Sequence, residues 1–192
     1  RELAGWVPPE VAADLVLANP FVEDQSHLRP TLITGLLESL QLNQARGVPA
    51  SRLFETGRVF LRRESQTCEC IAAAFIQTER DAGRTWRSRE PIDFYTAKRH
   101  TEALARAAGV DLSRQPLTAV DSGGGWQAGQ SALAGELAHG WTAGFGMIDL
   151  AHLKSLGIED KVFAGFFAIL PEKLAASGER RRYQPFSLFP AA

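Results

Sequence analysis

The 192-residue sequence is poor in cysteine and methionine and carries no surplus of either charge. Its two cysteines, Cys68 and Cys70, are separated by one residue and cannot build a disulfide framework, which excludes a small disulfide-stabilised secreted protein. The formal net charge is −1, from 21 basic and 22 acidic residues. Such a balance provides no global field that attracts a polyanion, so any contact with nucleic acid depends on a local basic patch.

Long hydrophobic runs are also missing. No apolar stretch reaches the roughly 18 residues that span a bilayer, and the N-terminus lacks the charged start and apolar run of a secretory signal. We therefore expect a cytoplasmic protein with no membrane contact. Hydrophobic residues make up 45% of the chain, and one domain usually comprises roughly 100 to 200 residues. The sequence thus predicts a single domain over residues 1–192.

Two long amphipathic helices are predicted. In the first, Pro30 suits the first turn, apolar residues recur at helical spacing as far as Leu40, and Gly47 ends the helix. In the second, Asp93 is the expected N-cap and Gly109 closes the helix. Shorter helices are expected after Asp149, with Leu150, Leu153 and Leu156 inside, and from Pro171 to Ala176.

Strands are predicted between these helices, and Gly57 in one of them indicates a bulge or a close backbone approach. The segments are 15–18 before the turn at Asn19-Pro20, 52–61, 69–77, 131–138, 141–148 and 162–170. Segment 69–77 is nearly all apolar, which indicates a strand covered on both faces. His139-Gly140 is the expected hairpin turn between two of them. Helices interleaved with hairpins predict an α+β fold, a mainly antiparallel sheet flanked by helices.

Local motifs give no assembled catalytic or metal site. The Cys68-x-Cys70 pair has no second pair nearby, so core thiols are predicted instead of a zinc site. The glycines of Gly123–Gly125 are not followed by Gly-Lys-Ser/Thr, which favours a loop over a phosphate cradle. The histidines are interpreted as structural, with general acid or base roles left open until the fold is known. They are His27, His100, His139 and His152.

Two arginine clusters are candidates for contact with nucleic acid. Arg84, Arg87 and Arg89 surround Trp86, a combination that binds phosphates and stacks on bases. A denser run, Arg180-Arg181-Arg182, is predicted to lie in a loop. Acidic neighbours partly neutralise the first cluster, and a solvated charged surface is the alternative for both.

The order of several longer motifs is more specific than any of these features. In chain order they are Leu17-Ala18-Asn19-Pro20, Leu28-Arg29-Pro30, Gly35-Leu36-Leu37-Glu38, Arg52-Leu53-Phe54-Glu55-Thr56-Gly57-Arg58-Val59-Phe60, Asp93-Phe94-Tyr95-x-x-Lys98 and Tyr183-x-Pro185-x-Ser187-x-Phe189-Pro190. Together they resemble the β subunit of bacterial phenylalanyl-tRNA synthetase over nearly the whole chain. By resemblance this is that subunit's catalytic-like core domain.

The resemblance implies a class II synthetase-like core without aminoacylation activity of its own. It also implies an α2β2 assembly that uses ATP and magnesium on the α subunit, while this domain binds no cofactor or metal, scaffolds α and helps to position tRNA. Candidate subunit-interface residues are Asn19, Pro20, Arg29, Arg52, Glu55 and Arg58. Candidate tRNA contacts are Arg84, Trp86, Arg87, Arg89, Arg180, Arg181 and Arg182. No catalytic residue is assigned.

Two other functions remain open from the sequence. One is a small class II-like adenylating enzyme that uses Arg52, Glu55 and Arg58 with His139. The other is a stand-alone tRNA-binding module that acts through the two arginine clusters. The start at Arg1 and the end at Ala192 are interpreted as the borders of a domain within a larger subunit.

Overall fold

A computed structural model describes residues 15–20, 26–48, 51–63, 66–79, 92–121 and 123–176. Within these ranges a six-stranded sheet has the order β1-β2-β6-β5-β4-β3, and every neighbouring pair is antiparallel. The elements are α1 (Ile33–Ala45), β1 (Arg52–Arg63), β2 (Gln66–Thr78), α2 (Phe94–Ala107), β3 (Leu117–Ala119), β4 (Trp126–Ala134), β5 (Trp141–Ile148), α3 (Leu150–Ser155), β6 (Val162–Ile169) and α4 (Pro171–Ala176). The predicted α+β fold with an antiparallel sheet is confirmed.

The sheet joins a local hairpin to a local meander. Strands β1 and β2 pair from Arg52↔Gln77 to Arg63↔Gln66, without a bulge at Gly57. Strands β3, β4 and β5 follow one another, and β6 then lies between β5 and β2. The apolar segment predicted to be covered on both faces lies inside the sheet as β2, but the coverage is incomplete, because Ile71 is exposed.

One face of the sheet carries α1 and is called the α1 face here. Leu36, Leu37 and Leu40 of the helix are buried in the core of this face, where the helix packs on β2 and β1. The helix begins at Ile33, later than the predicted start at Pro30. Leu32 is the N-cap and has no side-chain cap, while the Ile33 N–H group bonds to the Thr31 Oγ1 atom at 3.2 Å.

The opposite face, the α2 face, is covered by α2 over β5 and β6. Asp93 is the N-cap as predicted, and its carboxylate accepts a hydrogen bond of 2.8 Å from the Thr96 N–H group. Thr101 is fully buried opposite β6, where Gly165 leaves the room that its side chain and the ring of Phe75 need. A glycine at this register position thus sets how closely the helix approaches the sheet.

Three further details of the prediction were wrong. Residues 15–18 form no strand but an isolated bridge between Val16 and His27. Strand β4 begins at Trp126, five residues before the expected start, and ends at Ala134. Leu150 is largely exposed because only Leu153 of α3 is buried in the core.

The link between β4 and β5 is also longer than a two-residue turn. A 3-10 turn at Leu137–His139 precedes Gly140, whose φ of 98° closes it in the left-handed region. Gly135, with a φ of 70°, starts the link. Since both glycines adopt conformations that other residues avoid, they, and not His139, define this connection.

Candidate functional site

Arg29 ties the segment before α1 to the outer edge of β1. Its backbone carbonyl accepts a bond of 2.9 Å from the Phe60 N–H group, and its Nε atom donates to the Arg58 carbonyl at 2.8 Å. Its Nη1 atom donates to the Glu55 Oε1 atom at 2.6 Å. At Gly57, where a bulge or a close backbone approach was predicted, the Arg29 side chain fills the space beside the glycine with its Nη2 atom.

Arg58 and Arg52 project from the same strand. The Arg58 Nη1 atom forms an ion pair of 2.5 Å with Glu69 on β2. Arg52 is exposed at the start of β1, in register with Gln77. Arg29 thus meets the Glu55 side chain and the Arg58 backbone, whereas the Arg58 side chain projects to the other face of β1, and Arg52 lies on the same edge strand. Their solvent exposure means that each pair contributes little stability, about 0 to 1 kcal/mol.

Asn19 and Pro20 lie apart from this group in sequence, just beyond the Val16–His27 bridge. Both are exposed. The bridge is extended by a bond of 2.7 Å from the Leu17 N–H group to the Ser26 carbonyl. The chain then continues towards Arg29, so this short paired segment leads directly to the edge of β1.

Strand β1 carries the most exposed aromatic ring among the described residues. Phe54 is 79% exposed, and Ile71 on β2 is 37% exposed. Both point to the α2 face, since Phe54 is in register with the α2-side residue Phe75 and Ile71 is four positions from it. Among the described residues, helix α2 packs on β5 and β6 and does not cover these two separate side chains.

A cavity of about 480 Å³ lies against the α1 face. Its floor includes Ala72 and Ala168, and its walls include Trp126 and Phe166. Arg62 is the one charged residue among the described residues that line it. An adenylating site needs arginines against phosphate and carboxylates that hold magnesium. This lining offers neither set.

The four residues proposed for an adenylating enzyme are not assembled. The Arg63 Nη2 atom donates to the Ala138 carbonyl at 3.4 Å, which places His139 near the far end of β1. Arg52 lies at the other end, roughly 35 Å away at about 3.3 Å per residue. Glu55 is already paired with Arg29. The arrangement therefore does not support joint catalysis by these residues.

Comparison with known proteins decides the family. The model of the phenylalanyl tRNA synthetase beta chain CLM domain matches residues 6–166. The chain belongs to this family. It is 32% identical over 181 residues to the phenylalanine-tRNA ligase β subunit of Zymomonas mobilis, which covers 91% of the chain and 22% of that protein. It is 32% identical over 152 residues to the same subunit of Cereibacter sphaeroides, covering 79% of the chain and 18% of that protein.

The CLM-domain match accounts for the motif order seen in the sequence. The resemblance to the phenylalanyl-tRNA synthetase β subunit is confirmed by this match and by the relatives. The chain spans about a fifth of the length of these curated relatives. Membership of the family therefore does not by itself assign the activity, substrates or partners of a whole ligase to this chain.

Several candidate residues of the CLM-family chain lie outside the described residues. These are Arg84, Trp86, Arg87, Arg89, Arg180, Arg181 and Arg182. Within the described ranges, no group of three or more His, Cys, Asp or Glu side chains is arranged to hold a metal ion. None of the helices in those ranges has the length and hydropathy needed to cross a bilayer.

The two cysteines lie on the α1 face of the sheet. Cys70 is fully buried as predicted, whereas Cys68 is half-buried and its Sγ atom lies 3.4 Å from the Leu61 carbonyl. The pKa of Cys70 is raised to about 12, mainly because the thiol is buried and to a smaller extent because Cys68 lies nearby. A thiol with this pKa stays protonated at neutral pH, which disfavours Cys70 as a nucleophile.

Sequence reasoning missed the cavity and the residues that form it. Trp126 and Phe166 are stacked with ring centroids 6.3 Å apart, although 40 positions separate them in the sequence. The one local signal was the Gly123–Gly125 run directly before Trp126. All three glycines have positive φ, so the loop turns sharply and directs the indole ring onto the sheet.

Proposed function

We propose that this chain is the core domain of a phenylalanine-tRNA ligase β subunit and acts as a scaffold without aminoacylation chemistry of its own. Residues 1–192 form one domain of the larger subunit, with a class II synthetase-like sheet. The observation that carries the proposal is the lining of the sheet cavity. It contains one charged side chain, Arg62, and no carboxylate among its described residues. Activation with ATP and magnesium belongs to the α subunit of a cytoplasmic α2β2 enzyme.

A pyrophosphate-exchange assay tests whether the isolated chain activates phenylalanine with ATP. The isolated chain is incubated with ATP, magnesium, phenylalanine and labelled pyrophosphate, with the complete α2β2 enzyme as the positive control. We expect exchange at the background rate, because no set of residues neutralises the charge of the transferred phosphates. Phenylalanine-dependent exchange that disappears in Glu55→Gln or Arg58→Ala would establish the adenylating alternative instead.

The edge of β1 is the proposed contact with the α subunit. An exposed strand edge offers unpaired backbone groups to another chain, and within the described part of the chain the contacts of Arg29 with this edge are at Arg58 and Phe60. Two exposed apolar side chains of the first two strands, Phe54 and Ile71, are further candidates for contact with the partner. The exposed residues Asn19, Pro20 and Arg52 extend this candidate interface.

Co-purification with the α subunit tests the interface. We expect Phe54→Asp in the full-length β subunit to reduce recovery of α at least tenfold, because a carboxylate would be buried against a partner. Leu117→Asp is the matched control, since Leu117 is 42% exposed on β3 at the opposite edge of the sheet. Equal recovery with both variants would contradict an interface at β1.

Assistance in positioning tRNA is the second part of the proposal. The arginines around Trp86 and the run 180–182 are the groups suited to phosphate contacts. Each phosphate contact contributes about 0.7 to 0.9 to the slope of log affinity against log salt concentration. In the assembled enzyme, replacing Arg84, Arg87 and Arg89 by alanine should therefore lower that slope by about 2 to 3. An unchanged slope would remove these residues from the tRNA interface.

A further inference from the structure

The cavity on the α1 face has the size of a small-molecule site. Its volume of about 480 Å³ lies within the roughly 300 to 1,000 Å³ that ligand pockets occupy. The space exists because the sheet beneath it carries small side chains. Ala72 pairs with Ala168 across β2 and β6, and Ala168 pairs with Thr142 across β6 and β5. These residues leave a flat floor between α1 and the loop before β4.

Two aromatic rings form one wall of the cavity. The Trp126 and Phe166 planes are inclined by 29°. Trp126 is 7% exposed and Phe166 is half-buried, so the ring face accessible to a further ring is that of Phe166. Aliphatic side chains of β1 and β4 complete the apolar lining, among them Leu61 and Leu133. This composition favours a planar, apolar guest.

Among the described residues that line the cavity, the polar groups are few and uncharged apart from Arg62. Thr142 is half-buried, and its hydroxyl has no hydrogen-bond partner among the described residues. Thr31 lines the other side of the cavity. Its hydroxyl oxygen accepts a hydrogen bond from the Ile33 N–H group, and its O–H group can still donate one. With one cation and no carboxylate, the lining can match neither a triphosphate nor the ammonium group of an amino acid.

We propose that this cavity binds a neutral aromatic molecule of one or two fused rings with a single polar substituent. The ring lies against Phe166, in the space above the small side chains of Ala72 and Ala168, and the substituent bonds to the Thr142 hydroxyl. This inference concerns the chain itself and is independent of assembly with an α subunit or of tRNA binding. Indole and phenol are suitable probes, and toluene is the matching ring without a polar group.

Calorimetric titration of the purified chain tests the site. We expect saturable binding of phenol and indole at one site per chain, and at least tenfold weaker binding in Ala72→Leu, whose side chain fills the floor. Ala119→Leu, on the exposed strand β3, is the control for the substitution itself. Absence of saturable binding, or equal binding by a folded Ala72→Leu variant, would overturn the proposal.

A second variant keeps the test valid if Ala72→Leu does not fold. Thr142→Val preserves the shape of the cavity and removes its hydroxyl. We expect phenol to bind about five- to tenfold more weakly to this variant and toluene to bind as it does to the unmodified chain. Equal losses for phenol and toluene would show that Thr142 does not contact the substituent, and the proposed orientation would be wrong.

Discussion

Arg29 occupies the space above Gly57 that a larger side chain at position 57 would need. Gly57 does not have a positive φ, so glycine is required there for room and not for backbone conformation. The guanidinium above it binds both the Glu55 carboxylate and the Arg58 carbonyl. The absence of one Cβ atom thereby permits the contacts that hold the segment before α1 to the sheet.

Replacing Gly57 by alanine should therefore displace Arg29. We expect the free energy of unfolding to fall by about 1 to 2 kcal/mol, the sum of one exposed ion pair and one hydrogen bond. Urea unfolding measures the change. In an Arg29→Ala background the same substitution should cost much less, because the contacts are already absent.

Gly35→Ala is the matched control for this prediction. Its new Cβ atom would be 3.8 Å from the Glu55 side chain, in ordinary contact. Alanine is favoured over glycine in a helix by up to about 1 kcal/mol, so this variant should be as stable as the unmodified chain or more stable. Equal destabilisation by both substitutions would contradict the specific role of Gly57.

A larger effect is expected at Gly165. A Cβ atom there would overlap the Thr101 hydroxyl and the Phe75 ring, both of which lie in the core between α2 and the sheet. Overpacking of this kind costs about 1 to 3 kcal/mol. Gly165→Ala should lower the free energy of unfolding by that amount, and a second substitution, Thr101→Ala, should restore part of it. Additive losses in the double variant would contradict the proposed clash.

The helix cap at Asp93 gives a third prediction. Asp93→Ala removes the acceptor of the Thr96 N–H bond and should cost about 1 kcal/mol, whereas Asp93→Asn should retain most of the stability. Asp111 caps only a three-residue 3-10 turn through Ser113. Asp111→Ala should therefore change stability by less than about 0.5 kcal/mol. Urea unfolding of the three variants distinguishes the two caps.

The raised pKa of Cys70 leads us to expect a loss of stability at alkaline pH. Its pKa in the folded chain is about 12, above the ordinary value of 9.0. The unfolded thiol therefore ionises first, so the contribution of Cys70 is fully present below pH 9 and is lost as the pH rises towards 12. Over that window the unfolding free energy should fall by up to ~1.4 kcal/mol per pH unit through this group.

Variants at the two cysteines separate this effect from other titrations. Cys70→Ala should show a shallower fall in unfolding free energy between pH 9 and 11. Cys68→Ala should reduce the fall only in part, since burial is the larger cause of the shifted pKa and Cys68 the smaller one. Identical pH profiles for Cys70→Ala and the unmodified chain would contradict the assignment.

Local patterns were enough to predict most helices and strands. The spacing from Leu32 to Leu40, the cap at Asp93 and the apolar run at 162–170 all correspond to elements of the structure. Each of these signals depends on neighbouring residues alone. The wrong strand at 15–18 shows the limit, because four apolar residues form a strand only where a partner pairs with all of them.

The sheet order and the cavity could not be predicted in this way. Pairing of β2 with β6 depends on residues far apart in the sequence, such as Thr78 and Val162. The Trp126–Phe166 wall arises from the same long-range pairing. Motif order indicated the family but not which side chains meet, and the ion pair of Arg29 with Glu55 appeared only in the structure.

The placement of β6 between β5 and β2 has a consequence for how the chain folds. The β1–β2 hairpin and the β3–β4–β5 meander with β6 can each form from nearby residues, whereas the contact between them requires closure of a long loop. Long-range strand pairing of this kind slows folding. Until β2 meets β6, each half presents an unpaired edge that fits the other half in any copy of the chain. Exchange of the hairpin between two copies is therefore the misassembly to which this topology is most exposed.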